Sequence, residues 1–411
     1  MLNKPTALYF AMLVVMLDAM GFGLLAPILP ELLLELGAKD DVEGARIAKW
    51  LSFAYAGMQF LFSTLLGALS DRFGRKPVLV VSVATLGIDY LILGFAPAIW
   101  VLFVGRLIAG VAGATFSTCF AVAADVSEGR ERAANIGLVS AGFGLGFILG
   151  PLIGGLLGDS LGPRAPVFAA AVISGINFLF GLFLFRESHS VENRRALSWA
   201  SVNPFLALFA LRRVGPVIFL VGAYFAISLA GNVYPSVWSF YTKALLDWSP
   251  AQIGVSFAIV GAGFVLTQTL VLPMLLKRFT PGVVLVIGLG FMFASHLGYA
   301  LAGAASVIYV MLLVSALAGV ANPALNSLIT NTVDKTRQGE IQGVLASMLA
   351  LSLVATPFIH NDSFAFFISP EAPFFWPGAP FAVSALLVLI AGGFVALAPK
   401  GRAKSDEAAG Q

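Results

Sequence analysis

Twelve stretches of mostly apolar residues run through the chain, each long enough to cross a bilayer. A hydrocarbon core of about 30 Å takes about 20 apolar residues in a helix. The stretches fall at roughly 7–34, 46–69, 77–97, 99–125, 132–158, 166–185, 214–243, 250–276, 281–303, 305–332, 338–366 and 378–398. In the eleventh, Thr356 to Pro380 is rich in Pro, Phe and polar residues, so we expect helix only to about Ile359 and an irregular outer loop after it. Of the 411 residues 59% are hydrophobic and 11% charged, against about 45–50% and 25% in soluble domains. That polar surface is too small to cover a globule in water. The expectation is an all-α membrane protein with no room for a soluble catalytic domain.

The loops alternate in charge. On one side lie 70–76, 126–132, 186–213, 277–280, 333–340 and both termini; on the other lie 35–45, 159–165, 244–249 and 360–377. The first set holds eighteen of the 24 Lys and Arg: Lys4, Arg72, Arg75, Lys76, Arg130, Arg132, Arg186, Arg194, Arg195, Arg212, Arg213, Lys277, Arg278, Lys335, Arg337, Lys400, Arg402 and Lys404. The second set holds five, and Arg106 lies inside a span. Cationic loops stay in the cytoplasm, which predicts cytoplasmic termini, as does an even number of spans. The basic excess is accounted for by position and calls for no nucleic acid. The first stretch is too long for a signal peptide and contains Asp18. Cys119, the single cysteine, reads as a small buried hydrophobe. The longest polar segment, 186–213, divides a half at 1–185 from a half at 214–399, with a tail at 400–411; residues 203–211 could form a short interfacial helix. Leu276-Lys277-Arg278-Phe279 follows the eighth span where Asp71-Arg72-Phe73-Gly74 follows the second, a weak internal repeat.

Two glycine patterns stand out. Gly67-Ala68-Leu69-Ser70-Asp71-Arg72-Phe73-Gly74-Arg75-Lys76 joins the second and third spans. Gly67 allows close helix approach, Gly74 a tight turn, and Asp71 could accept from free amides at a helix start. In the fifth span Gly142, Gly146, Gly150, Gly154 and Gly158 recur every four residues, with Gly155 beside them and Pro151 between. That makes a groove along one helix face, bent at the proline.

Asp18, Asp89 and Arg106 remain at bilayer depth. Such groups are costly unless paired or hydrated. Desolvation strengthens a carboxylate's hold on a proton, which suits proton coupling, whereas arginine keeps its charge. A static buried ion pair that fixes helix packing is the other reading. In the second half Asn232, Trp238, Gln268, His296 and Asn326 are candidates for a substrate cavity, or for bonds between helices. A phosphate-binding Gly-x-x-x-x-Gly-Lys loop is missing, which argues against ATP, and no His or Cys cluster has metal spacing.

The loop at 67–76 resembles the signature of the major facilitator superfamily, and the glycine-rich fifth span resembles the motif of its drug–proton antiporters. The first half is further similar to the tetracycline–metal/proton antiporters, in Leu17-Asp18-Ala19-Met20-Gly21, Met58-Gln59, Asp89-Tyr90-Leu91 and Gly105-Arg106-Leu107. The resemblance implies two pseudo-symmetric six-helix bundles, alternating access, and export of a small amphipathic compound in exchange for protons. It implies that Asp18, Asp89 and Arg106 shape the proton path, with Gln59 near substrate. It implies that Gly67, Asp71, Arg72, Gly74, Arg75 and Asp125 form a conformational gate, with Arg75 pairing Asp125 and Asp71 locking, in one conformation, against the eleventh helix near Gly339 and Gly343. Gly146, Gly150, Pro151, Gly154 and Gly155 carry the fifth-helix motif. Cofactors are none beyond the coupling proton, with a substrate-bound divalent cation left open; the partners are lipid and a small molecule, and a monomer suffices. One departure matters: those antiporters carry an acid in the ninth helix, and here 283–303 has His296 instead, for which a neutral ring donating to a backbone carbonyl is the simpler expectation. A polar-metabolite or sugar transporter, and a non-transporting receptor or scaffold, are the alternatives.

Overall fold

A computed structural model describes residues 4–127, 131–194, 196–197, 202–209, 211, 215–333 and 337–398. Among these, all regular structure is helical. Twelve spans follow in order: α1 Lys4–Glu35, α2 Asp41–Phe73, α3 Arg75–Gly94, α4 Ile99–Asp125, α5 Glu131–Leu161 and α6 Ala165–Phe183, then α7 Ile218–Leu246, α8 Pro250–Arg278, α9 Pro281–Ala300, α10 Ala305–Thr332, α11 Gln338–Ile368 and α12 Ala379–Leu397. Twelve crossings bring the start of α1 and the end of α12 to one face, here the terminal face; the opposite one is the far face. Many large apolar side chains point outward, among them Val81, Val172, Ile176 and Leu313, each more than 60% exposed. Such a surface is stable only in lipid, and the chain is a multi-pass membrane protein.

Within the first six spans α1 packs on α5, α3 on α6 and α2 on α4; in the second six α7 packs on α11, α9 on α12 and α8 on α10. The same pairing recurs with numbers raised by six. The halves meet through α5 against α8 and α2 against α11, two contacts that this pseudo-symmetry exchanges.

The glycine ladder sets the tightest of these contacts. Gly142, Gly146, Gly150 and Gly154 face the backbone carbonyls of Met12, Met16, Met20 and Leu24, and Gly158 faces the side chain of Ile28. Both helices advance by four residues per step, so α1 and α5 run side by side with no side chain between their backbones. A Cβ at Gly150 would stand 2.7 Å from the Met20 oxygen. Gly155 points elsewhere, to Gly254 of α8, whose own missing side chain admits the Pro151 carbonyl. One helix therefore holds its own half with one face and the other half with the next.

Two boundaries differ from expectation. The second span begins at Asp41, capped by Asp40, whose side chain accepts from the Glu43 amide at 2.8 Å. The eleventh does not stop near Ile359 but continues as helix to Ile368. Its polar run is satisfied by the rest of the protein: His360 meets the Leu229 carbonyl at 3.0 Å, Asn361 donates to the Ala45 carbonyl at 3.2 Å and accepts from Ser236, and Asp362 pairs with Lys49 at 2.6 Å. Residues that read as a loop are contacts between helices. With Ser239 donating to Ala26 at 2.6 Å and Lys243 paired to Asp41 at 3.4 Å, they close the far face. Of the interfacial helix expected over 203–211, a single turn forms at Leu206–Phe209; the tail 400–411, Arg130, Arg195, Arg212, Arg213 and Lys335 lie outside the described residues.

The ladder predicts a position-specific cost. Gly146→Ala should destabilise the protein by about 1–3 kcal/mol, the usual penalty of overpacking, whereas Gly144→Ala, which has open space around it, should be neutral. Thermal unfolding of the two variants in the same detergent makes the comparison, and equal melting points would dismiss the ladder as a constraint.

Candidate substrate and coupling site

Four helices are interrupted inside the membrane, and the candidate residues gather at the interruptions. α4 opens at Gly113–Thr115 between two helical segments. No water reaches such a break in hydrocarbon, so protein must satisfy its backbone. Gln59 of α2 does so, its amide donating to the Gly113 carbonyl at 3.1 Å. Thr115, in the same break, donates its hydroxyl to Asp18 of α1 at 2.9 Å. Asp18 is 5% exposed, and its other oxygen is buried without a partner.

The second carboxylate is paired. Arg106 of α4 donates to Asp89 of α3 at 3.1 Å, and Asp89 is fully buried with one oxygen unpartnered. Gly105 leaves room for that oxygen; a Cβ there would come within 2.6 Å of it. The guanidinium also lies over the Tyr55 ring, 5.7 Å from its centroid, a cation–π contact. Tyr90, next to Asp89, fits its hydroxyl against Gly21 of α1, which brings the segment holding Asp18 onto α3. Two acids and one permanent cation are thus grouped in the first half, and among the described residues no cation pairs with Asp18.

A small cavity of about 60 Å³ adjoins this group. Leu25, Leu29 and Leu32 of α1, Ser52 and Tyr55 of α2, Arg106 of α4 and Ser236 of α7 are among its walls. The walls are apolar with a few polar points. Of the residues expected around substrate or proton, Arg106 alone lines it. Gln59 is turned to Gly113. Trp238 is not on this cavity's wall: it is 2% exposed, donates to Ser256 at 2.8 Å, and packs among Tyr234, Tyr241, Tyr299 and Phe381.

The second half repeats the first without its charges. α10 is broken at Ala318–Val320, and Gln268 of α8 donates to the Gly319 carbonyl at 3.0 Å. The separation is 51 residues, against 54 between Gln59 and Gly113. Gln268 sits in a π turn, Thr267–Val271, just before Pro273, whose missing N–H forces such a change of register. α7 breaks at Asn232, which donates to Ser352 of α11 at 3.1 Å. Beside that break stands His296, not on one carbonyl but between two, those of Met292 and Ala230. Asn326 accepts from Gln342 of α11 at 3.0 Å, toward the terminal face.

At the terminal face Gly74 has φ +105°, the turn expected of it, and a Cβ at Gly67 would stand 3.4 Å from the Ser117 hydroxyl. Arg75, almost fully buried, donates to Asp71 at 2.5 Å, to Asp125 at 3.1 Å and to Ser70 at 2.6 Å. Arg72 lies over the Phe73 ring. In this conformation Asp71 is held by Arg75, and Gly339 and Gly343 of α11 have open space. One expectation is corrected: Asp71 does not cap the start of α3. Glu187, beyond α6, does: its carboxylate accepts from the amides of Arg75 at 2.8 Å and Lys76 at 3.2 Å. Its sequence signal is slight, an acid before Ser188 and His189 where a span ends; His189 also approaches Asp125 at 3.6 Å.

Breaking the buried pair one side at a time should expose its logic. Arg106→Ala leaves a buried carboxylate without its cation, a loss of about 3–5 kcal/mol. The double change Asp89→Asn with Arg106→Gln should recover most of it. Thermal unfolding in detergent reads both; a double variant no better than Arg106→Ala would show that the pairing is not what Arg106 supplies.

The model of the family described as Major Facilitator Superfamily matches residues 11–357. The chain is 37% identical to the class C tetracycline resistance protein of Escherichia coli, over 95% of this chain and 96% of that protein. It is 37% identical to the class G protein of Vibrio anguillarum, over 92% and 94%. Among solved structures, the human organic anion transporter MFSD10 superposes with a TM-score of 0.68 at 22% identity, covering 96% of this chain and all of that one, a likeness of fold. The chain belongs to the Major Facilitator Superfamily and is a transporter, not an enzyme.

Proposed function

We propose that this transporter exports a small amphipathic compound, of the tetracycline-like class, in exchange for protons by alternating access. The observation that carries the reading is the charge count around α4: two buried carboxylates and one permanent cation. Arg106 can neutralise Asp89 or Asp18 but not both. The surplus charge, held at Asp18 by a single hydroxyl, is costly at bilayer depth, and taking up a proton removes that cost. The likeness to tetracycline resistance proteins over more than nine-tenths of the chain supports the substrate class and the direction. A divalent cation, if it takes part, travels with the substrate.

On this reading the terminal face, with its cationic loops, is cytoplasmic. The closed far face then faces outward, and the structure is the state that loads from the cytoplasm. Export requires the polar contacts of Asn361, Lys49 and Lys243 to part while Asp71 leaves Arg75 and the terminal face closes. The apolar walls of the cavity suit the body of the substrate; Arg106 and the serines suit its polar edge.

Inverted membrane vesicles, acidified inside by respiration, test this. Adding tetracycline should raise the internal pH only when the protein is present. Asp18→Asn should abolish that response by removing the proton carrier. A full response from Asp18→Asn would exclude Asp18 from coupling. Silence of the parent with tetracycline and a panel of amphipathic compounds would overturn the export reading in favour of a polar-metabolite carrier.

A further inference from the structure

Tyr55 of α2 belongs to no sequence motif, yet it reaches both parts of the charge group around α4. It lies one helix turn before Gln59, so the two side chains share the face of α2 turned to α4. Two glycines of α4 make room for it. A Cβ at Gly110 would stand 2.5 Å from the Tyr55 carbonyl oxygen. One at Gly113 would stand 3.0 Å from the Tyr55 hydroxyl and 3.7 Å from the Gln59 amide nitrogen. Neither glycine is there for a turn: Gly110 is inside the helical segment Ile99–Ala112, and Gly113 has φ −77°. Both serve close approach, and the phenol enters a notch in α4 that any side chain would fill.

The two ends of this side chain have different neighbours. The Arg106 guanidinium lies over the ring, 5.7 Å from its centroid, while it donates to Asp89 at 3.1 Å. The hydroxyl is at Gly113, two residues before Thr115, which holds Asp18 at 2.9 Å. Arg106 and Thr115 are nine residues apart, about 13 Å along a helix, and Tyr55 spans that interval. Its electrostatic neighbours are accordingly all three groups, Asp18, Arg106 and Asp89. A guanidinium is attracted to an aromatic face, more strongly where water is excluded. The ring thus holds the cation at Asp89, and the phenol fills the space that the cation would cross to reach Asp18. The second half keeps the ring without the charge. Phe264, one turn before Gln268, sits on Gly319, where a Cβ would come within 2.7 Å of it. Seven residues before Gly319 stands the buried Leu312, as Arg106 stands seven before Gly113.

We propose that Tyr55 is a positioning residue of the coupling site: it seats Arg106 on Asp89, keeps it from Asp18, and so decides which of the two acids exchanges its proton. The seat stands on the geometry alone; its consequence rests on the proposed exchange of cargo for protons. Without the ring, Arg106 turns to either acid. An Asp18 neutralised by Arg106 has no need of a proton, and cargo then crosses without one.

Thermal unfolding of the full chain in detergent reads the seat. Tyr55→Leu should lower the melting point of the parent by at least about 2 °C more than that of the Asp89→Asn, Arg106→Gln double variant, which has no guanidinium to hold. Equal shifts would overturn the seat. The consequence is read in proteoliposomes, as the ratio of tetracycline accumulation driven by a pH gradient to tetracycline exchange without one. Tyr55→Leu should lower that ratio at least about tenfold, and Tyr55→Phe, which keeps the ring, should restore it to within about twofold. Phe264→Leu, which removes the matching ring where no charge rests, should lower both rates together. A ratio that Tyr55→Leu leaves unchanged, or that Phe264→Leu lowers as much, would overturn the positioning role. A parent that moves no tetracycline would overturn the exchange reading and this consequence with it, while the melting points still decide the seat.

Discussion

A backbone that breaks inside a bilayer must find its hydrogen bonds in protein, and the arrangement of this transporter follows from that requirement. α4, α7 and α10 interrupt their ladders, and each opened carbonyl has a side chain assigned to it: Gln59 to Gly113, His360 and His296 to Leu229 and Ala230, Gln268 to Gly319. An unpaired polar group in such surroundings costs several kcal/mol, so these are not decorations on a finished fold. They allow helices to bend where a straight rod would leave no space for cargo. The charged residues sit at the same level because the break in α4 offers Thr115 to Asp18 and the helix before it offers Arg106 to Asp89.

The two halves share this device but use it differently. Amides at matched positions hold α4 and α10, which is the imprint of a duplicated six-helix unit. Around them the first half concentrates carboxylates and a guanidinium, and the second half places imidazoles, hydroxyls and aromatic rings. α5 binds the scheme together. Its glycine face fixes α1, and with it Asp18, at backbone contact, and its adjacent face meets α8 of the other half.

Much of this was legible in the amino-acid sequence because membrane spanning is a matter of length and hydropathy, and the bilayer leaves few other options. The twelve spans, the glycine face and the three intramembrane charges needed only local patterns. What stayed hidden depends on partners far away in the chain. Residues 360 to 363 read as a loop because their polarity is visible locally, while Ala45, Lys49 and Ser236, which absorb it, are not. Glu187 caps a helix 112 residues earlier, and no spacing rule connects them. Trp238 carries the composition of a ligand pocket but fills a core, since an indole suits either and only its donation to Ser256 decides. Gln268 was recognisable as a polar group needing a partner, and Gln59 only through family resemblance, but which carbonyl each would take depended on helix breaks that the sequence does not announce.

The closure of the far face has a further physical consequence. Asn361 is fully buried, but two other contacts are ion pairs, Lys49 with Asp362 and Lys243 with Asp41, and their acids are partly open to solvent, Asp362 at 47% and Asp41 at 30%. Ion pairs in that position are screened by mobile salt over about 8–10 Å at ordinary ionic strength, whereas the amide bonds of Asn361 are not. The transporter is thus fastened at its far face by two kinds of bond with different sensitivities, and the ionic strength of the medium that face meets becomes a setting for how readily it opens.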